Sequence, residues 1–196
     1  IRAGDLIYTR AVNRYFLGRE DLPADVLVWN GDTTRMPARM HSEYLRALFL
    51  ENRLSAGCFM VEGRGITLKD IAAPAFVVGT ESDHIAPWRS VYKTQLFTDN
   101  DLTFVLTKGG HNSGILSEPG HSQRHCRVGH REAGAFSAGP NDWLAQHDPL
   151  AGSWWPEWSR WLADRSGVRR PPPPLGLSGE RFSGLGSAPG TYVHQL

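Results

Sequence analysis

The chain has 196 residues, 40% hydrophobic and 21% charged, the composition of a folded globular domain and not of a disordered or fibrous chain. Its 21 basic and 20 acidic side chains leave a formal charge of +1, which offers neither the electrostatic footprint of a nucleic-acid binder nor a polybasic membrane signal. No apolar run reaches the roughly 18–20 residues of a membrane-spanning helix, and two cysteines, Cys58 and Cys126, are too few for a disulfide framework and favour a reducing, cytoplasmic compartment. The chain opens on Ile1 with no methionine and no signal-peptide pattern, and is expected to be a piece of a longer polypeptide.

The first fifty residues read as helices. Leu6, Ile7, Tyr8, Ala11, Val12, Tyr15, Phe16 and Leu17 recur at helical spacing, with Gly18 as a stop. Leu27-Val28-Trp29 is a short apolar run before the turn signal Asn30-Gly31-Asp32. A second helical pattern starts at Met40, takes in Tyr44, Leu45, Leu48, Phe49, Leu50 and Leu54, and ends near Gly57.

The middle of the chain changes character. Cys58 to Val61 reads as a short strand with Cys58 buried, Gly63-Arg64-Gly65 as a tight turn, and Ile66 to Ile71 as a connection. Ala75 to Thr80 and Leu102 to Thr107 are continuous β-branched and apolar runs, the pattern of strands buried on both faces of a parallel sheet. A helix over Pro87 to Phe97 joins them into a βαβ unit, and Gly109-Gly110 ends the second strand. Ser117 to Pro140 is rich in Gly, Ser, His and Arg and reads as an irregular loop carrying Cys126. Asn141 caps a short helix, and Trp154, Trp158 and Trp161 fall on one helix face as a core-facing stripe. Four prolines, Pro171 to Pro174, end the packed region as an extended spacer.

Two positions carry chemistry. Asp83 stands just past the first buried strand and His111 just past the second. Residues beyond the carboxyl ends of neighbouring parallel strands face one crevice, where a carboxylate can orient an imidazole and stabilise its charged form. That is the acid–histidine half of a hydrolase-type triad, in the chain order of that fold. The nucleophile is missing: no serine or cysteine occupies a Gly-x-nucleophile-x-Gly elbow, so the elbow is expected upstream of Ile1. His121, His125, Cys126 and His130 match no zinc spacing, and no metal or organic cofactor is expected.

Several motifs resemble those of one enzyme family. They are Trp29-Asn30-Gly31-Asp32-Thr33-Thr34, Tyr44-Leu45-Arg46 with Glu51-Asn52, Asp83-His84-Ile85-Ala86-Pro87-Trp88, Gly110-His111, and Gly152 to Trp158 with Ala188 to Val193. In this order they resemble the C-terminal half of class I polyhydroxyalkanoate synthases. The resemblance implies the C-terminal part of an α/β-hydrolase fold. Residues 1–57 would be part of a helical cap, 58–168 the C-terminal part of the catalytic core, and 169–196 a Pro/Gly-rich tail. It further implies a Cys-His-Asp triad that polymerises (R)-3-hydroxyacyl-CoA with release of CoA. His111 would be the general base and Asp83 would orient it or assist the substrate hydroxyl, with His84, Trp29, Asn30, Tyr44 and Trp88 lining the substrate site. The implied partners are the growing polyester, the polyester granule surface and a second copy in a homodimer. Asn112-Ser113-Gly114-Ile115 departs from the family's usual Ile-Ala-Gly-Val after the histidine. A hydrolase or depolymerase on the same fold, with an upstream serine or cysteine, is one alternative. A non-catalytic granule-associated relative is the other.

Overall fold

The computed structural model describes Tyr8, residues 11–19 and residues 35–173. The chain divides into two units, residues 1–40 with 172–196, and residues 41–171. In the first unit Val12–Phe16 is a π-helical segment, followed by Gly18 at φ +60°, the stop read from the sequence. Helix α1 (Ala38–Tyr44) continues as a π-helical stretch over Leu45–Leu50, and hydrogen-bonded turns carry the chain to Gly57.

Strands β1 (Phe59–Val61) and β2 (Arg64–Ile66) form an antiparallel hairpin. Its two central residues are Glu62 and Gly63, both at positive φ, the turn geometry that matches strand twist. The turn therefore sits one residue earlier than the sequence suggests, and Arg64 and Gly65 belong to β2. Cys58 is exposed rather than buried, because this two-stranded hairpin presents too little surface to cover it. Leu68–Asp70 is a 3₁₀ turn held by a capping box, with Thr67 N–H donating to Asp70 Oδ2 at 3.0 Å and Lys69 N–H to Thr67 Oγ1 at 3.4 Å.

The larger unit is built on a four-stranded mixed sheet in the order β3 (Ala75–Thr80), β4 (Leu102–Thr107), β5 (His125–Arg131), β6 (Leu150–Ala151). β3 and β4 are parallel and in register from Ala75↔Leu102 to Thr80↔Thr107, while β5 runs antiparallel to β4 and β6 antiparallel to β5. The link between β3 and β4 is two short helices, α2 (Trp88–Tyr92) and α3 (Thr94–Phe97), in place of one helix over 87–97. Thr94 Oγ1 donates to the Val91 carbonyl at 2.7 Å, a local side-chain bond that competes with the helical ladder at the break.

β4 is buried at every position, as expected of a strand of apolar and β-branched residues covered on both faces. Leu102, Phe104 and Leu106 point to one side and pack with Trp88, Tyr92 and Trp143. The Phe104 ring meets Tyr92 at 5.1 Å and Trp143 at 5.0 Å, both edge-to-face. Val105 points to the other side, with Cys126 and Trp154. There Phe76 is ringed by Trp154, Trp158 and Trp161 at 6.2, 4.8 and 5.7 Å. The tryptophan stripe thus faces the core. Helix α4 spans Pro140–Gln146 and α5 spans Trp155–Asp164, with Trp154 as the cap residue of α5.

β5 overturns the irregular loop expected over 117–140. Its residues alternate across the sheet as a strand's must, but most are polar, so their composition reads as a loop. The polar side chains are satisfied by partners distant in sequence. Arg131 is buried and donates to the carbonyls of Gln95, Thr98 and Asn100 at 2.7, 2.9 and 2.8 Å, ending α3 and the turn after it with a fixed cation. Cys126, expected as a loop thiol, is consequently a buried strand residue. Nor does Asn141 cap α4: Gly139 is the cap residue and Pro140 takes the first turn, and Asn141 Oδ1 accepts from Arg89 at 2.6 Å.

Candidate active site

The β3–β4 pairing runs on past the strands. Glu81 N–H donates to the Thr107 carbonyl and Ser82 N–H to the Gly109 carbonyl, each at 2.9 Å. Two loops separated by a βαβ crossover are thereby zipped side by side for two further residues. The result is a direct hydrogen bond between Asp83 Oδ2 and His111 Nδ1 at 2.9 Å, with the Asp83 side chain 7% exposed and the His111 side chain 43% exposed. The acid is enclosed and the imidazole is accessible, the arrangement needed when one group orients and the other reacts.

Asp83 is held on both oxygens. Oδ1 accepts from the backbone N–H of Ala86 and of Ile85, each at 2.9 Å, and Oδ2 accepts from Thr80 Oγ1 at 3.3 Å as well as from His111. The Ala86 amide is the largest influence on its acidity. Enclosure works against it, while His111 and the Ile85 amide add to it, and the carboxyl settles at about 2. Asp83 is therefore an acceptor-only carboxylate at neutral pH, so His111 Nδ1 carries the donated hydrogen and Nε2 is the free, basic nitrogen.

His111 sits on a tight turn closed by Gly114 N–H to the Gly110 carbonyl at 2.9 Å and Leu116 N–H to the Asn112 carbonyl at 3.0 Å, with Ser113 Oγ accepting from Gly110 N–H at 3.0 Å. The turn needs glycine. Gly109 lies at φ +133°, and a Cβ on Gly114 would stand 2.5 Å from Thr80 Cγ2.

The other candidate residues separate. His84 is exposed beside Asp83. Trp88 is buried in the core at the start of α2, with the Arg89 guanidinium 4.4 Å over its ring. Tyr44 is half exposed and lies edge-on to Phe49 at 5.4 Å. Trp29 and Asn30 lie outside the described residues. The His121, His125, Cys126 and His130 group is dispersed. His125 Nε2 pairs with Glu81 Oε1 at 2.9 Å, and His130 Nε2 pairs with Asp101 Oδ1 at 3.1 Å at the other end of β5. Cys126 points to the opposite face from His125, its thiol pushed up by burial and secondarily by Glu157. Among the described residues no three His, Cys, Asp or Glu side chains converge on a metal position.

The chain is similar along nearly its whole length to known proteins. The chain is 39% identical over 193 residues to the poly(3-hydroxyalkanoate) polymerase subunit PhaC of Rhizobium meliloti, covering 98% of this chain and 30% of that protein. It is 35% identical over 194 residues to the polymerase subunit of Cupriavidus necator, covering 32% of that protein. It is 36% identical over 193 residues to the poly(3-hydroxyalkanoate) polymerase of Methylorubrum extorquens, covering 31% of it. The chain matches the C-terminal part of a polyhydroxyalkanoate synthase. It spans about a third of the length of these curated relatives, and no protein-family model matches it. No helix among the described residues is long and apolar enough to cross a membrane.

The residues that sequence reasoning missed are those acting through the Asp83 carboxylate: Thr80 and the amides of Ile85 and Ala86. Backbone donors leave no trace in residue identity, so only the position of a threonine closing β3 could have pointed to them.

Proposed function

We propose that the chain is the C-terminal portion of a polyester synthase, an acyltransferase that polymerises (R)-3-hydroxyacyl-CoA into polyhydroxyalkanoate and releases CoA. The observation that carries this reading is the 2.9 Å bond from His111 to an enclosed Asp83 beyond two parallel strands, within a chain matched along 98% of its length by poly(3-hydroxyalkanoate) polymerases. In this reading residues 58–168 are the C-terminal part of an α/β-hydrolase core. Residues 1–57 are part of its helical cap and 169–196 its tail.

The chemistry follows from the pair. His111 Nε2 takes the proton of a cysteine thiol supplied by the longer polypeptide, and the thiolate attacks the thioester carbonyl of the substrate. The C–S bond to CoA breaks, CoA leaves as the thiol with the proton returned from Nε2, and the acyl group is carried on the cysteine sulfur as a thioester. The next substrate's 3-hydroxyl then loses its proton to the freed nitrogen and attacks the carried thioester. The C–S bond breaks, and the cysteine sulfur leaves and takes that proton back. The extended chain, now a CoA thioester, reloads onto the cysteine with release of the second CoA. Asp83 keeps the imidazole in the tautomer that accepts at Nε2 and stabilises the imidazolium formed in each half-reaction. His84, exposed beside Asp83, is assigned to the substrate-facing surroundings, whereas Trp88, packed with Tyr92 and Phe104 in the core, holds α2 against the sheet instead. The growing polyester and its granule surface are the partners this reading implies.

The test is a chimera in which this chain replaces the matching C-terminal stretch of the Rhizobium meliloti polymerase. CoA release from (R)-3-hydroxybutyryl-CoA is expected from the chimera and is lost by at least about 10³-fold in His111→Ala, the scale of a general base acting on a nucleophile. A folded His111→Ala chimera that releases CoA at the unsubstituted rate refutes the assignment. So does a folded unsubstituted chimera that is inactive beside an active parent.

A further inference from the structure

Thr80 closes β3 and is 2% exposed. It touches both loops of the pair through different atoms. Its Oγ1 reaches Asp83 Oδ2 at 3.3 Å, the same oxygen that faces His111 Nδ1 at 2.9 Å. Its Cγ2 and Cβ lie 2.5 and 2.8 Å from where a Cβ on Gly114 would stand, so its methyl is pressed against the backbone of the turn that carries His111. Gly114 is itself pinned: its N–H goes to the Gly110 carbonyl at 2.9 Å, and its own carbonyl accepts from Trp154 Nε1 at 3.3 Å. A β-branched side chain is stiff about χ1. With the methyl trapped under Gly114, the hydroxyl is left directed at the carboxylate.

We propose that Thr80 is a positioning residue for the Asp83–His111 pair: its hydroxyl fixes the carboxylate oxygen that His111 uses, in a rotamer set by the contact of its methyl with Gly114. The proposal rests on reading that pair as catalytic. The two backbone amides hold only Oδ1. Without the hydroxyl, Oδ2 keeps His111 as its one donor, and the carboxylate plane can swing about the anchored oxygen. A displacement of this kind lowers the rate of the chemical step without changing how tightly substrate is held. Removing a donor from a carboxylate also disfavours its charged form, so the Asp83 titration reports the hydroxyl directly. That readout needs no turnover.

The variants are Thr80→Val, which keeps the shape and methyl but lacks the hydroxyl, and Thr80→Ser, which keeps the hydroxyl. The Asp83 carboxyl carbon is titrated by NMR in the chain itself, and kcat and KM for CoA release are measured in the polymerase chimera. Thr80→Val is expected to raise the Asp83 titration midpoint and to lower kcat about tenfold with KM unchanged. Thr80→Ser is expected to return both toward the unsubstituted values. If Thr80→Val does not fold, Thr80→Ala supplies the hydroxyl-free measurement. An unchanged Asp83 midpoint without the hydroxyl overturns the proposal, as does an equal loss of kcat in the valine and serine variants. A midpoint that moves as expected, in a chain whose unsubstituted chimera releases no CoA, supports the positioning contact and overturns the synthase reading instead.

Discussion

Replacing Asp83 by Asn separates geometry from chemistry at the pair. An asparagine oxygen at the Oδ1 position still accepts from Ile85 and Ala86 N–H, the two 2.9 Å bonds that anchor the side chain. The atom facing His111 becomes an amide nitrogen. At 2.9 Å from Nδ1 it would set one donor against another, so the neutral imidazole must move its hydrogen from Nδ1 to Nε2. The reacting nitrogen then carries a proton where it has to accept one. Loss of the correct tautomer with the geometry kept costs on the order of 10⁴ in kcat in a hydrolase-type triad, and the same loss is expected for CoA release by the chimera, with KM little changed. In the isolated chain, the ¹⁵N shifts of His111 at neutral pH are expected to show the hydrogen on Nδ1 before substitution and on Nε2 after it. A tautomer that does not change in Asp83→Asn, or a kcat within about tenfold of the unsubstituted value, would refute the reasoning.

Three further outcomes are expected. The Asp83 carboxyl is depressed to about 2 by the Ala86 amide, His111 and the Ile85 amide. It therefore contributes stability that is fully present above the ordinary carboxylate value near 4 and is lost as pH falls through about 2. Urea midpoints measured from pH 5 to pH 2 should fall less steeply in Asp83→Asn than in the unsubstituted chain. Cys58 is exposed and Cys126 is buried with a raised thiol, so a thiol reagent should label one cysteine in the native chain, identified as Cys58 by mass mapping, and both in denaturant. Phe104, 1% exposed between Tyr92 and Trp143, should cost about 3–5 kcal/mol on truncation to alanine, read from denaturant unfolding. A loss below about 1 kcal/mol would mean that the aromatic cluster does not hold β4 against α2 and α4.

The strands that carry the site were legible because their burial is written in their composition. Ala75 to Thr80 and Leu102 to Thr107 are dominated by apolar and β-branched residues with no charged side chain, and a strand covered on both faces shows no alternating polar side. β5 was hidden for the converse reason. His125, Arg127, His130 and Arg131 look like solvent-facing loop residues until Glu81, the His147 carbonyl, Asp101 and the carbonyls of Gln95, Thr98 and Asn100 are brought to them. Partners distant in sequence change the cost of burying a polar group, and composition does not record them. The break at Lys93 and the capping of α4 by Gly139 were missed at a smaller scale, because single side-chain and backbone bonds decide element ends.

The sequence by itself determined that an acid and a histidine stand just beyond two buried parallel strands, since strand ends and loop residues are local properties. It also placed Trp154, Trp158 and Trp161 on the core, since helical spacing puts them on one face. Only the tertiary structure decided that Asp83 and His111 meet, because the strand register and the two bonds beyond it set how far each loop projects. Tertiary structure also decided which nitrogen of His111 is left free, because that depends on the backbone amides of Ile85 and Ala86 reaching a carboxylate that faces Nδ1.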